Sequence, residues 1–235
     1  MKAPRVRPPA AAAPAPAPPA EARRPRFQRQ LPQQRRAALI AATIECLKRY
    51  GHDGLSIRTI SAQAGVSVGL INHHFPNKDE LVAGAFRHFN RELVDGLKAA
   101  AARPATPAAR LRAFLEASFS PPNLDADVLA VWVVFWGLYR HSRPIQRVQR
   151  ETYRDYVQLM RTLLGDILGK PGGGARGRGR AVNLRLAAIG LTALIDGLWL
   201  EWCLEPGGFR PREAVAICEG WVEGLQRRAA GWNSP

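Results

Sequence analysis

The stretch Ser56–Phe75, SIRTISAQAGVSVGLINHHF, decides how this chain is read. Its spacing predicts two short helices joined by a tight turn. Ser56 can cap the first, its hydroxyl accepting from an orphan backbone N–H. Ile57, Ile60 and Ala64 fall at i, i+3 and i+7, one helical face. Gly65 ends that helix, because glycine takes the left-handed conformation without steric cost. Val66 turns inward, and Ser67 caps a second helix, Val68–His74. Helix, glycine turn, helix is the helix-turn-helix layout, whose second helix enters the major groove of DNA. A plain helical hairpin shares the pattern; the flanking sequence favours the DNA-reading one.

Upstream, Leu39, Ile40, Ala42, Thr43, Ile44, Cys46 and Leu47 form an inward stripe on a helix from about Gln33 to Tyr50, stopped by Gly51. Downstream, Phe75-Pro76 breaks the reading helix. Asn77-Lys78-Asp79-Glu80 fits a capping box that opens a fourth helix. Leu81, Ala85, Phe86, Phe89, Leu93, Val94 and Leu97 carry that helix to about Ala102, so it leaves the first unit and enters the next. The expected division is a 33–93 DNA-binding domain and a 94–235 ligand-binding and dimerisation domain, sharing this helix near Arg91.

The remaining pattern is helical throughout. Helix 5 starts at Pro107, helix 6 runs from Asn123 or Asp125 to about His141, and helix 7 starts at Pro144 with Tyr153 and Tyr156 among its apolar positions. Helix 8 covers about 181–204 and helix 9 about 211–230. No alternating strand pattern occurs, so the fold class is all-α. Helix 8 is apolar nearly all round, which requires cover on more than one side. Burial within one monomer and a four-helix interface between two copies, helices 8 and 9 of each, both meet that need.

The 235 residues, 46% of them hydrophobic, suffice for one sizeable core and a small second unit. A net charge of +15 points to a polyanionic partner, nucleic acid before anionic membrane. A G·C-rich coding background accounts for abundant Arg and Ala but not for the motif. Residues 1–32 are a Pro/Ala-rich tail with seven basic residues against Glu21, read as disordered. Such a tail is either a DNA-contacting arm or a solvated end. Cys46, Cys203 and Cys218 show no metal pattern and read as buried free thiols in a reducing cytosol. The longest apolar runs read as too short to span a bilayer, and no signal peptide is visible. No cofactor or metal site is expected. His52, His73, His74, His88 and His141 lack partners at metal or triad spacing, and no phosphate loop occurs, which argues against an enzyme.

Ala62 to Ile71, then His73, Phe75 and Asn77-Lys78-Asp79-Glu80-Leu81, resembles the DNA-binding signature of TetR-type repressors across residues 33–93. Val131–Trp136 and Leu194–Leu200 are similar to segments of the BetI-type, choline-sensing branch of that family. The resemblance implies a nine-helix fold, a cytoplasmic bacterial homodimer, a palindromic operator and release on effector binding. It also implies targets in choline uptake and glycine betaine synthesis. Three features depart from the family pattern. Asn72 and His74 stand where aromatics are usual, and the basic N-terminal extension is longer. Asn72 suits adenine readout, and His74 makes a pH-dependent phosphate contact conceivable.

The expected DNA contacts are Ser56, Arg58, Ser67, Val68, Gly69, Asn72, His73, His74 and Lys78. Helix N-termini at Ser56, Ser67 and Lys78 attract phosphate, although the serines would cap in any case. The expected effector contacts are Trp132, Trp136 and Tyr139 on helix 6 and Trp199 and Trp202 on helix 8, because indole faces hold quaternary ammonium groups. Core packing is the competing reading of those aromatics. Asp196 either opposes a cationic ligand or bonds at an interface. Two further readings stay open: a repressor answering another small molecule, and a basic protein binding nucleic acid without specificity.

Overall fold

The computed structural model describes residues 32–169 and 182–229, and these form nine α-helices and no strand. They are α1 (Pro32–Tyr50), α2 (Ile57–Ala64), α3 (Val68–His74), α4 (Lys78–Ala102), α5 (Pro107–Ser118), α6 (Ala126–Tyr139), α7 (Arg143–Leu168), α8 (Leu184–Leu204) and α9 (Pro211–Ala229). The tail at 1–31, the Gly/Arg-rich stretch at 171–179 and the C-terminal residues 230–235 lie outside the described residues.

Short polar side chains start the helices. Ser56, Ser67, Asn77, Thr106, Asp125, Ser142 and Asn183 each accept a hydrogen bond from a first-turn N–H. Pro107 and Pro144 sit in first turns, where a missing N–H costs nothing. Gly65 ends α2 at φ 64°, and its N–H bonds back to Ala62.

The capping box lies elsewhere than the sequence suggests. Asn77 caps the N–H of Glu80 at 2.9 Å, but the Glu80 carboxylate does not return to Asn77. It instead accepts from Arg147 of α7 at 2.9 Å. A reciprocal box does form at α2, where Ser56 Oγ accepts from the Thr59 N–H at 3.1 Å and Thr59 Oγ1 accepts from the Ser56 N–H at 2.9 Å. A carboxylate near an arginine gains more from the charge than from a neutral N–H.

α4 is the central rod. It packs on α1, α5 and α7, and its Phe86 and Phe89 meet Trp132 and Phe135 of α6. Ring centroids there lie 4.3–6.0 Å apart, the range in which aromatic pairs attract beyond their area. Gly84 lets α4 pass Phe75 closely: a Cβ there would stand 3.3 Å from the Phe75 ring. Two ion pairs fasten α4 to α7, Glu80–Arg147 and Arg87–Glu151 at 3.1 Å. The indole of Trp199 on α8 donates to the Ser118 carbonyl at the end of α5, 3.0 Å away in the interior.

α8 packs on α6, α7 and α9. By length and composition alone this 21-residue helix is apolar enough to cross a membrane, a test that a packed core helix also passes. Leu186, Ile189, Leu200 and Leu204 remain exposed along it, as does Ile217 on α9. Cys46 and Cys218 are buried free thiols, with burial raising both pKa values, Cys218 to about 12; Cys203 is half-buried.

Phe86→Ala removes the ring that joins α4 to α6 and is expected to cost about 3–5 kcal/mol. Urea unfolding should show a lower midpoint with an unchanged slope; an unshifted midpoint would contradict this account of the core.

Candidate nucleic-acid interface and effector cavity

α3 has one buried residue, Ile71, which fixes its orientation. The opposite side presents Val68, Gly69, Asn72 and His73 as one exposed face, with Ser67 exposed at its start. Val68 is 40% exposed, unusual for a valine with packing available nearby. Arg58 is exposed near the start of α2. Ser61 Oγ donates to the Val66 carbonyl, holding the turn between the two helices closed.

The other expected contacts are more constrained. The hydroxyl and N–H of Ser56 are both engaged in the capping box, so its side chain acts first as a cap. Lys78 donates to the Leu55 carbonyl at 3.4 Å, tying the start of α4 to the segment before α2. His74 is half-buried, and desolvation, with the charges of His73, Arg35 and Arg36, lowers its pKa. That shift disfavours the charged ring in the free protein, and the pH-dependent phosphate contact stays an expectation. Sequence reasoning missed Arg36. Its guanidinium lies 4.1 Å from the centroid of the Phe75 ring and donates to the His74 carbonyl at 3.0 Å, closing the C-terminus of α3. The signal was an Arg pair one turn ahead of the helix 1 stripe.

Further from α3, α4, α6, α7 and α8 enclose a cavity of about 60 Å³. Trp132, Trp136 and Trp199 line it as expected, and Asp196 joins them. Two expected residues do not. Tyr139 lines an adjoining open cleft, and Trp202, a turn further along α8 than Trp199, lines neither space. In their place α7 contributes Gln149, Tyr153 and Tyr156 at i, i+4 and i+7, and α4 contributes Asn90. That i, i+4, i+7 repeat was visible in the sequence but read as ordinary core.

Three buried side-chain polar atoms among the described residues lack a hydrogen-bond partner: Trp132 Nε1, Gln149 Oε1 and Thr192 Oγ1. All three residues line this cavity. Buried polar groups are normally satisfied, so their convergence marks a place prepared for a polar ligand. Burial raises the Asp196 pKa to about 6, and Asp196 in turn helps to raise the phenols of Tyr153 and Tyr156. At pH 7 the site thus holds one carboxylate that nothing in its lining neutralises, walled by aromatic rings. A compact cation is the complement of that arrangement.

Residues 39–85 match the model for bacterial regulatory proteins of the tetR family, and residues 107–227 match the model for the C-terminal region of BetI-type transcriptional repressors. The HTH-type transcriptional regulator BetI of Burkholderia thailandensis is 33% identical over 191 residues, which cover 80% of this chain and 92% of that protein. The chain belongs to the TetR family. It is a BetI-type transcriptional repressor, and TetR regulators bind operator DNA, form dimers and are not enzymes. A transcriptional regulator from Pseudomonas aeruginosa PAO1 superposes with a TM-score of 0.76 at 45% identity, covering 86% of this chain and 94% of that one. A regulator from Saccharomonospora viridis, solved in complex with choline, shares the fold at TM-score 0.67 and 22% identity, with 81% and 96% covered.

The raised Asp196 pKa makes a test of the cavity. Between about pH 6 and the ordinary carboxylate range the folded repressor binds a proton that the unfolded chain does not. Its stability therefore rises as pH falls through that window, and the burial cost is fully present above it. Asp196→Asn should stabilise the protein at pH 7 by roughly 1–3 kcal/mol, and the gain should vanish near pH 4. Thermal melts at both pH values measure it; an equal gain at both would contradict burial of a charged Asp196.

Proposed function

We propose that this TetR repressor reads its operator through α3 and answers to choline. The exposed face of α3 supports the first half. Val68, Gly69, Asn72 and His73 meet base edges, with Asn72 placed for adenine. Arg58, Lys78 and the starts of α2 and α3 at Ser56 and Ser67 meet phosphates. His74, whose charged form is disfavoured in the free protein, gains charge beside a phosphate as pH falls.

The dimer forms through α8 and α9. Leu186, Ile189, Leu200 and Leu204 lie on one stripe of α8 and, like Ile217 of α9, are exposed in the single chain. A second copy covers them and places two reading helices one DNA turn apart. The same cover accounts for an apolar α8 in a DNA-binding protein of the cytoplasm.

One observation carries the choline reading: a half-buried carboxylate, Asp196, in a cavity walled by Trp132, Trp136, Trp199, Tyr153 and Tyr156. The quaternary ammonium sits against the rings opposite Asp196, and the hydroxyl has Gln149, Thr192 and Trp132 as partners. The Saccharomonospora viridis regulator, with choline bound, lends support from the same fold. Occupied, the cavity favours a spacing of the reading helices that the operator does not fit. The controlled genes are those of choline uptake and glycine betaine synthesis.

Fluorescence anisotropy on a labelled fragment of the repressor's own promoter tests both halves. Wild type should bind it in excess random DNA and leave when choline is added, while Asn72→Ala should lose roughly 1–3 kcal/mol of discrimination between operator and random sequence. Equal affinity for random DNA would overturn the operator reading, and operator binding indifferent to choline would overturn the effector reading.

A further inference from the structure

The cavity around Asp196 does not end at Gln149. Trp136, Gln149 and Tyr153 also line a second, open cleft of about 420 Å³, together with Tyr139 and Arg150. The two spaces thus share three walls. The inner one, about 60 Å³, suits only a compact head group, so a longer ligand must extend outward past Gln149. Rings line that path: Trp136, Tyr139 and Tyr153 are each 38–40% exposed, high for aromatic residues on a helical surface.

Arg150 is the charged residue that lines this outer cleft. Its neighbours on α7 are engaged, Arg147 with Glu80 and Glu151 with Arg87. Arg150 makes no side-chain hydrogen bond or ion pair among the described residues. An exposed guanidinium lining a cleft with aromatic walls suits a phosphate or sulfate, which it can grip with two parallel N–H donors. It repels a cation, so the cleft is poorly suited to choline alone. Asp196 thus lines only the inner space and Arg150 only the outer, with Trp136, Gln149 and Tyr153 shared between them. Along α7, Arg150 precedes Tyr153 by three residues and Tyr156 by six, roughly 4.5 and 9 Å of axial rise. That is the scale of a short ester arm joining a cation to an anion.

We infer that the repressor's ligand class extends to choline esters bearing an anion on the choline oxygen, the quaternary ammonium resting in the inner cavity and the phosphate or sulfate on Arg150. The inference rests on the choline reading of that inner cavity. In the ester the choline oxygen no longer donates a proton. Gln149, at the junction, then serves it with its amide N–H₂, and the terminal oxygens pass to Arg150.

Calorimetric titration of the full-length dimer with choline, phosphocholine and choline sulfate tests this, in wild type and in Arg150→Ala. Wild type should bind at least one ester no more weakly than choline, and Arg150→Ala should lower the ester-to-choline affinity ratio about tenfold. The two ester arms tell which anion is preferred. Arg150→Glu, checked for folding by circular dichroism, should lower the ratio further. Esters that bind more than about tenfold below choline in wild type, or a ratio that neither substitution moves, would overturn the inference. If choline and the esters all fail to bind, the choline reading itself falls and takes the inference with it. If only an ester binds, the inference stands and the choline reading narrows to esters.

Discussion

The aromatic contact between α4 and α6 is the constraint on which the rest depends. Trp132 stacks edge-on against Phe86 and Phe89 and at the same time forms a wall of the cavity. Phe86 and Phe89 belong to the 25-residue helix whose first turn, through Lys78 and Leu55, is bonded to the reading unit. A rod of regular hydrogen bonds bends little over that length, so a shift of its middle is carried to its start. The cavity and the reading helix therefore share a mechanical element as well as a chain. α7 reinforces it, since the helix that supplies Gln149, Tyr153 and Tyr156 also holds Glu80 and Arg87 of α4 through ion pairs.

Electrostatics give the cavity its preference. An aspartate in a half-buried aromatic site pays a desolvation cost that a second charge or a ligand must offset. Within the cavity lining no arginine or lysine meets Asp196. Three unpartnered polar atoms around it add to the same mismatch. A repressor gains from such a site, because a ligand that satisfies all of these groups acquires a differential affinity for the conformation that presents them.

Much of the fold was legible in the sequence because local chemistry set its boundaries. Gly51, Gly65, Pro76 and Pro107, with Ser56, Ser67, Asn77 and Asp125, place most helix ends within a residue or two, but α8 starts at Leu184, three residues after the expected 181. Val68, Gly69, Asn72 and His73 were read as projecting from α3, and all four are exposed. The cavity was harder to read. α6 is apolar on all sides, so its periodicity carries no phase, and Tyr139 was assigned inward although it borders the outer cleft. Trp202 misled for the same reason on α8. Tyr153 and Tyr156 were hidden because only the packing of α7 on α8 brings them to Asp196. Glu80 found a partner 67 residues away, which no local rule anticipates.

The central claim is that filling the cavity changes the separation of the two reading units. It is tested most directly by pulsed electron resonance between nitroxides placed at exposed Gln63 of both copies, with Cys46, Cys203 and Cys218 replaced. On the operator the distance distribution should be narrow, reflecting half-sites about 34–36 Å apart. Adding choline to the free dimer should move that distribution by several ångströms, away from the operator-bound one. Identical distributions with and without choline, at concentrations that saturate the cavity, would contradict the account.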